Sequence, residues 1–472
     1  MATSVARAAA RGELARVTTP GEVLTFRGGM AGALAPFVVF VAGVAALALA
    51  GAPDERGFWP VLVLALGTGL ALATDRTAYA EAMLDGMSDR LVAVMLVAWL
   101  LSGVIASVLG ASGVVPALTE SARAVGVRGG GYVAAAMLVC ALVSTATGTS
   151  FGTILLCGPL LYPAGAGAEA APGPLAGAIL AGATFGDSLS PISDTTIASS
   201  GTQGVDIAGT VRARLPYALA AGGAALLVLA AFGGGNGAPA TAAPTNARPA
   251  ALAMLAAPTL VIVLLLRGRH LVEGLMAGVA ASLAIALGLG LLTPAQVVSV
   301  DRSAFGAKGL VLDGLQRGVG VSVFTLLLMA LVGPLRRSGV LERIAARGGA
   351  GEAPSARAAE GGIVAMVSAA ALLTMHSVVA ILAVGDVARR RGEAAGIGGY
   401  RRANLLDLAV CTWPFVLPYF LPPILAAGVT RGAAAMPALS PWEVGRWNAY
   451  AWGLVAVLGV AVVTGWGSGR RR

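Results

Sequence analysis

The residues with the densest potential chemistry in this chain run from Gly186 to Thr196: Gly-Asp-Ser-Leu-Ser-Pro-Ile-Ser-Asp-Thr-Thr. Asp187 and Asp194 supply two carboxylates, and Ser190, Ser193, Thr195 and Thr196 supply hydroxyls around Pro191. The stretch follows the apolar run 175–185 and meets no basic residue before Arg212. It therefore falls inside a membrane span. A charge there costs at least about 2.5–3.5 kcal/mol, so such residues are expected to face a cavity and carry function. Pro191 removes a backbone donor and pushes Ser190 out of the α region. A helix broken in this way frees carbonyls and amides, which are tolerated at membrane depth only where they are buried or line a cavity. Carboxylates, hydroxyls and freed carbonyls are hard oxygen ligands suited to a hard cation such as Na+. The competing reading is a surface turn, where Ser-Pro and Asp-Thr are common.

A second polar break lies at 144–153, Ser-Thr-Ala-Thr-Gly-Thr-Ser-Phe-Gly-Thr. Thr147, Thr149, Ser150 and Thr153 could turn inward around a hairpin tip made possible by Gly148, or bond their own helix carbonyls. In the second half of the chain, His376, Ser377, Asn404 and Asp407 interrupt apolar surroundings. Asp407 is expected to face Asp194, or else to pair at the interface with Arg401 or Arg402. His376 titrates near neutral pH when unperturbed. A buried histidine satisfied by backbone is its blander reading. Asp386, beside three arginines, reads as a surface ion pair. No arginine falls at the expected midplane.

Positioning these residues requires many spanning helices. Of 472 residues, 57% are hydrophobic and 12% charged, against about 25% charged in a soluble chain. Spans of about 20 apolar residues fit at roughly 32–52, 58–74, 91–111, 174–201, 216–232, 250–266, 270–292, 318–335, 404–428 and 447–466. The net charge of +9 sits in loops and tails, where it sets orientation. Few aromatics and no basic stacking platform speak against nucleic acid. Cys140, Cys157 and Cys411 lie in apolar runs without metal-ligand spacing and read as packing residues.

Residues 233–249, Gly/Pro/Ala/Thr-rich with one charge, read as a flexible linker. The two sides of this linker resemble each other. Met83-Leu84-Asp85-Gly86-Met87 corresponds to Val311-Leu312-Asp313-Gly314-Leu315. Ser112-Gly113-Val114-Val115 corresponds to Ser338-Gly339-Val340-Leu341, at offsets of 228 and 226 residues. The basic clusters at Arg212/Arg214, Arg267/Arg269, Arg336/Arg337 and 389–391 all fall on one face only if 131–163 and 361–385 are re-entrant hairpins. The expected fold is therefore an all-α polytopic membrane protein of two inverted repeats, each about five spans plus one hairpin. Its parts are a cytoplasmic tail (1–31), a first repeat (32–232), the linker, a second repeat (250–466) and a basic tail (467–472). A plain twelve-span bundle is the alternative. The N-terminus reads as a cytoplasmic tail, not a signal peptide.

The motif Gly186–Thr196, preceded by Thr-Gly-Thr-Ser-Phe-Gly-Thr at 147–153, closely resembles the NhaC family of Na+/H+ antiporters over about residues 83–215. The resemblance is weaker in the second half, at 402–407. It implies an ion transporter exchanging sodium for protons in the plasma membrane, with Asp187, Ser190, Pro191, Ser193, Asp194, Thr195 and Thr196 as the ion region. Two departures stand out: Ile197 where the family often has Asn, and Phe151 where it often has Trp. Relatives also exchange organic acids or amino acids, so coupled transport of a small carboxylate or amino acid is the main alternative, and an ion channel the second. No cofactor is expected. The partners are sodium, protons and the bilayer, and the fold type is compatible with a homodimer. No His-Glu-x-x-His run supports an enzyme.

Overall fold

The computed structural model describes the chain except for residues 1–22, 50–54, 125, 192, 235–247, 268, 302–305, 341–342, 344–354, 432, 434–435 and 468–472. Most of the expected linker and much of both tails lie outside the described residues. Helices dominate. In the first half they are α1 (Met30–Leu49), α2 (Phe58–Leu72), α3 (Arg76–Met87), α4 (Arg90–Ala111) and α5 (Val114–Ala124). They continue as α6 (Gly129–Thr147), α7 (Ser150–Ala164), α8 (Pro172–Leu189), α9 (Asp194–Gln203) and α10 (Ile207–Phe232). The second half holds α11 (Ala256–Leu266), α12 (Leu271–Gly288), the single turn α13 (Pro294–Val297) and α14 (Leu310–Arg337). After these come α15 (Ala356–Thr374), α16 (Ser377–Ala394), α17 (Gly399–Val410), α18 (Leu421–Thr430), α19 (Pro441–Arg446) and α20 (Ala449–Thr464). A short antiparallel pair, β1 (Ser299–Asp301) with β2 (Gly306–Lys308), joins α13 to α14. The sequence reading had no strand there.

Seven helical segments among the described residues are long and apolar enough to cross a membrane. Their outer faces carry bare Leu, Val and Phe: Leu142 and Leu227 are each 73% exposed. In water that would be a liability; in lipid tails it is the expected surface. The chain is a multi-pass membrane protein. The break expected at Pro191 is present, and a second span, expected to be continuous, is interrupted as well. The span at 174–201 is α8 and α9, broken at Ser190–Ser193; that at 404–428 is α17 and α18, broken over 411–420.

The stretches 131–163 and 361–385 are helical hairpins. In the first, Tyr132 near the start of α6 donates its hydroxyl to the Leu161 carbonyl near the end of α7, at 2.9 Å. In the second, Gly362 near the start of α15 lies against the guanidinium of Arg391 near the end of α16. The tips share one backbone solution. Gly148 is left-handed (φ 69°) and Thr149 extended. Met375 is likewise left-handed (φ 52°) and His376 extended. Thr149 and His376 then cap the returning helices, accepting from the amides of Gly152 and Val379.

The hairpins open toward opposite ends of α10. The base of the first lies beside Gly233 and Gly234, where Ala171 N–H donates to the Gly233 carbonyl. The base of the second lies near the start of α10: Tyr400 hydroxyl donates to Asp206, and Arg401 joins Glu360 of α15 to Tyr217 of α10. The two tips therefore meet in the middle of the molecule.

Small residues set the helix spacing there, as they do in membrane bundles generally. A Cβ on Gly186 would run into Ala141 and Ser144 of α6, so α8 and α6 touch backbone to backbone. Ser144 uses that proximity to donate to the Ala183 carbonyl at 2.6 Å.

Candidate functional site

The site is built where α8 ends. Leu189 is its last helical residue, and Pro191 prevents continuation. Asp187 occupies the last turn, and its two carboxylate oxygens are separately held. Ser193 Oγ, from beyond the break, donates to Oδ1 at 2.7 Å. Ser150 Oγ, from the first turn of α7, donates to Oδ2 at 2.8 Å. One carboxylate thus ties the broken helix to the first hairpin tip. Ser193 also lies 3.1 Å from Thr195 Oγ1. Asp194 opens α9 from its first turn, where the positive end of the helix dipole favours an acid.

Asp187, Ser193, Asp194 and Thr195 line a cavity of about 340 Å³. Its walls include the first tip (Thr147, Gly148, Thr149 and Ser150) and the second (Met375, His376 and Ser377). Apolar wall comes from Trp99 and Ala98 of α4, Phe151 and Leu155 of α7, and Phe415, Phe420 and Leu421 around the second helix break. Arg269, Leu271 and Leu275 border it at the turn between α11 and α12; Arg269 is exposed and 3.5 Å from Glu273. Ser377 Oγ reaches the Val410 carbonyl at 3.4 Å, linking the second tip to the end of α17.

The remaining residues singled out from sequence lie elsewhere. Thr153 is buried and donates to the Thr149 carbonyl. Thr147, though on the wall, gives its hydroxyl to Val143 of its own helix. Ser190 is buried within the break.

Thr196, Asn404 and Asp407 form a separate buried cluster whose centre is Arg214. Its guanidinium pairs with Asp407 and donates to the Ser188 carbonyl. It also reaches Thr196 Oγ1 at 2.9 Å and Asn404 Oδ1 at 3.0 Å. Ser199 Oγ adds a bond to Asp407 at 3.1 Å. Arg214 and Asp407 are both fully buried.

This corrects two expectations. Arg214 is not an anchor among headgroups, and an arginine does lie in the interior. Nor does Asp407 pair with Arg401 or Arg402, which turn to Glu360 and Glu393. The spacing of four between Arg214 and Ala218, which puts Arg214 on α10's packed face, was the one available signal. Asp386 is exposed, and its neighbour Arg389 pairs with Glu393. Just outside the spans, Asp206 caps α10; the Tyr400 hydroxyl and the Gly209 amide hold its carboxyl below the usual range.

Gly148, Ser150 and Gly152 satisfy the Gly-x-Ser-x-Gly spacing of hydrolase nucleophile elbows, against the expectation that the chain lacks such a run. That elbow sits on a strand-to-helix turn; here the serine lies on a helical hairpin and donates to a carboxylate. Among the described residues no cluster of three or more His, Cys, Asp or Glu side chains could hold a metal. The three cysteines are free and buried.

Fold and site together define a polytopic helical membrane protein whose polar centre is built from interrupted helices, the architecture in which secondary transporters hold their cargo. Residues 18–234, just under half of the chain, match the model of the Na+/H+ antiporter family. The chain is similar to the malate-2H(+)/Na(+)-lactate antiporter of Bacillus subtilis, at 32% identity over 36% of each chain. It is similar to the Na(+)/H(+) antiporter NhaC of Alkalihalophilus pseudofirmus, at 33% identity over 28% of each. A third relative is the arginine/ornithine antiporter ArcD of Halobacterium salinarum, at 41% identity over 19% of each. The matched stretches span little more than a third of these relatives' length at most.

Proposed function

We propose that the protein is a secondary transporter exchanging sodium ions for protons by alternating access, with Asp187 and Asp194 as the shared site. The observation that carries this is their presence on one cavity wall where a broken helix meets two hairpin tips. A carboxylate removed from bulk water must be neutralised, by a proton or by a cation. An empty, ionised site crosses an apolar barrier only at high cost, whereas a loaded one crosses more readily. That rule alone yields exchange, because the site leaves with one ion and returns with the other. The Ser150 and Ser193 hydroxyls would turn their oxygens to the cation when it binds.

The inverted-repeat organisation is part of this proposal. It is supported by the two tips, whose left-handed residues Gly148 and Met375 stand 227 positions apart, and by the opposite openings of the hairpins. The basic clusters favour a plasma-membrane orientation with both termini cytoplasmic.

A second reading is coupled exchange of a small carboxylate or amino acid. It is favoured by a cavity of about 340 Å³, far more than a bare cation fills, and by the organic substrates for which two of the relatives are named.

The test is Na+-dependent proton movement in sealed proteoliposomes with an internal pH dye, comparing wild type with Asp194→Asn and Asp187→Asn. Lumenal pH changes that reverse with the sodium gradient, and vanish in the variants, support antiport. Normal exchange in correctly inserted Asp194→Asn protein overturns the site assignment. Silence with Na+ and Li+ turns the question to malate, lactate and amino acids.

A further inference from the structure

A second cavity of about 390 Å³ lies beyond the first, and three helices pass from one to the other at the same level. Along α4, Val94, Ala98 and Trp99 face the cavity that holds Asp187, while Trp99, Ala106 and Ser107 face the second. Along α7 the change comes at Leu155, with Ser150 before it and Pro159 after. Along α18 it comes between Pro422 and Ile424. Among the described residues, Trp99 and Leu155 alone border both spaces.

The two cavities open along opposite directions. The second follows α7 toward the base of the first hairpin, and the first is bounded by the turn between α11 and α12. Trp99 is 2% exposed, and α14 presses on its backbone. A Cβ on Gly318 would lie 3.0 Å from the Trp99 carbonyl, so any larger residue there would push the helices apart. Between these two cavities, each roomy enough for water, an indole and an isobutyl group form a septum that excludes water and makes passage of a bare ion costly.

We infer that Trp99 and Leu155 are the barrier that keeps the Asp187–Asp194 site open to one face at a time, and that the second cavity is the vestibule from the other face. This inference rests on the transporter reading for its purpose, but its test needs no substrate. Single cysteines are placed at Val94 and at Ala106, in a background where Cys140, Cys157 and Cys411 are alanine. Each is exposed to a membrane-impermeant thiol reagent from one face of oriented proteoliposomes.

In brief labelling of the resting protein, without sodium or a pH gradient and with Trp99 present, Val94→Cys labels from one face and Ala106→Cys from the other. In Trp99→Ala, and independently in Leu155→Ala, that sidedness is lost, while Trp99→Phe restores it. Proton flux without sodium should rise in the same two alanine variants. Sidedness unchanged in both folded alanine variants overturns the inference, as does labelling of both positions from the same face when Trp99 is present. Loss of sidedness without any Na+/H+ exchange in the parent protein would leave the barrier standing and discard the sodium reading instead.

Discussion

Asp187 and Asp407 are acids of opposite kinds. Asp187 receives two hydroxyl bonds and borders a cavity. Asp407 is sealed against Arg214. A hydrogen bond to a charged group contributes on the order of 1.5–3 kcal/mol. Ser150→Ala or Ser193→Ala should therefore weaken sodium dependence of exchange by roughly tenfold or more, read as the half-saturating Na+ concentration, with insertion near wild type and thermal stability lowered, because Asp187 loses a buried partner. Removing one partner of a buried pair strands the other charge, at about 3–5 kcal/mol. Asp407→Asn and Arg214→Met should each lower the unfolding temperature in detergent. The double variant Arg214→Met/Asp407→Leu should recover much of it, because replacing a buried pair by apolar groups is often close to neutral. A double variant no more stable than either single one would show that the pair contributes beyond its own burial.

At the scale of elements, each tip depends on one residue in the left-handed region. Gly148 adopts it freely, whereas Met375 (φ 52°) pays about 1–2 kcal/mol for its Cβ. Met375 is also buried, and truncating a buried methionine costs about 2–5 kcal/mol, more than the strain relieved; Met375→Gly should therefore lower thermal stability, as should Gly148→Val, both checked by melting the purified protein. Asp206 fixes the start of α10 through Tyr400 and the Gly209 amide. Because its carboxyl is held low, its contribution is present above the ordinary carboxylate range and fades as pH falls through the lowered value. In Tyr400→Phe that contribution should fade at a higher pH than in wild type, visible as earlier loss of stability in an acid titration.

For the whole molecule, the close approach of α4 and α14 is decisive because Trp99 stands at their crossing. Gly103 and Gly314 meet backbone to backbone, and Gly86 of α3 meets Gly333 of α14. In the inverted repeat proposed above, Gly86 and Gly314 would be equivalent glycines, each set against the other half. Overpacking such a contact costs about 1–3 kcal/mol. Gly314→Leu should lower stability by that order and loosen the thiol sidedness described above.

The membrane class, the break at Pro191 and both hairpins were legible in the sequence, because each follows from local rules; the break over 411–420 was not, and 404–428 read as one span. Apolar length sets a span, Pro191 ends a helix, and a glycine or a cluster of polar residues interrupts one. The motif around Asp187 and Asp194 was legible for the same reason: buried charge at membrane depth is rarely incidental. The partners of each acid were not. Ser150 stands 37 residues from Asp187, and Arg214 stands 193 from Asp407; no periodicity specifies which hydroxyl or guanidinium crosses the bundle to reach them. Arg214 read as a headgroup anchor because arginines usually are, and only helix packing shows it turned inward. The division of the interior into two cavities at Trp99 and Leu155 is likewise tertiary. It arises from three helices crossing at one level, and a septum is a property of their distance rather than of any residue's type.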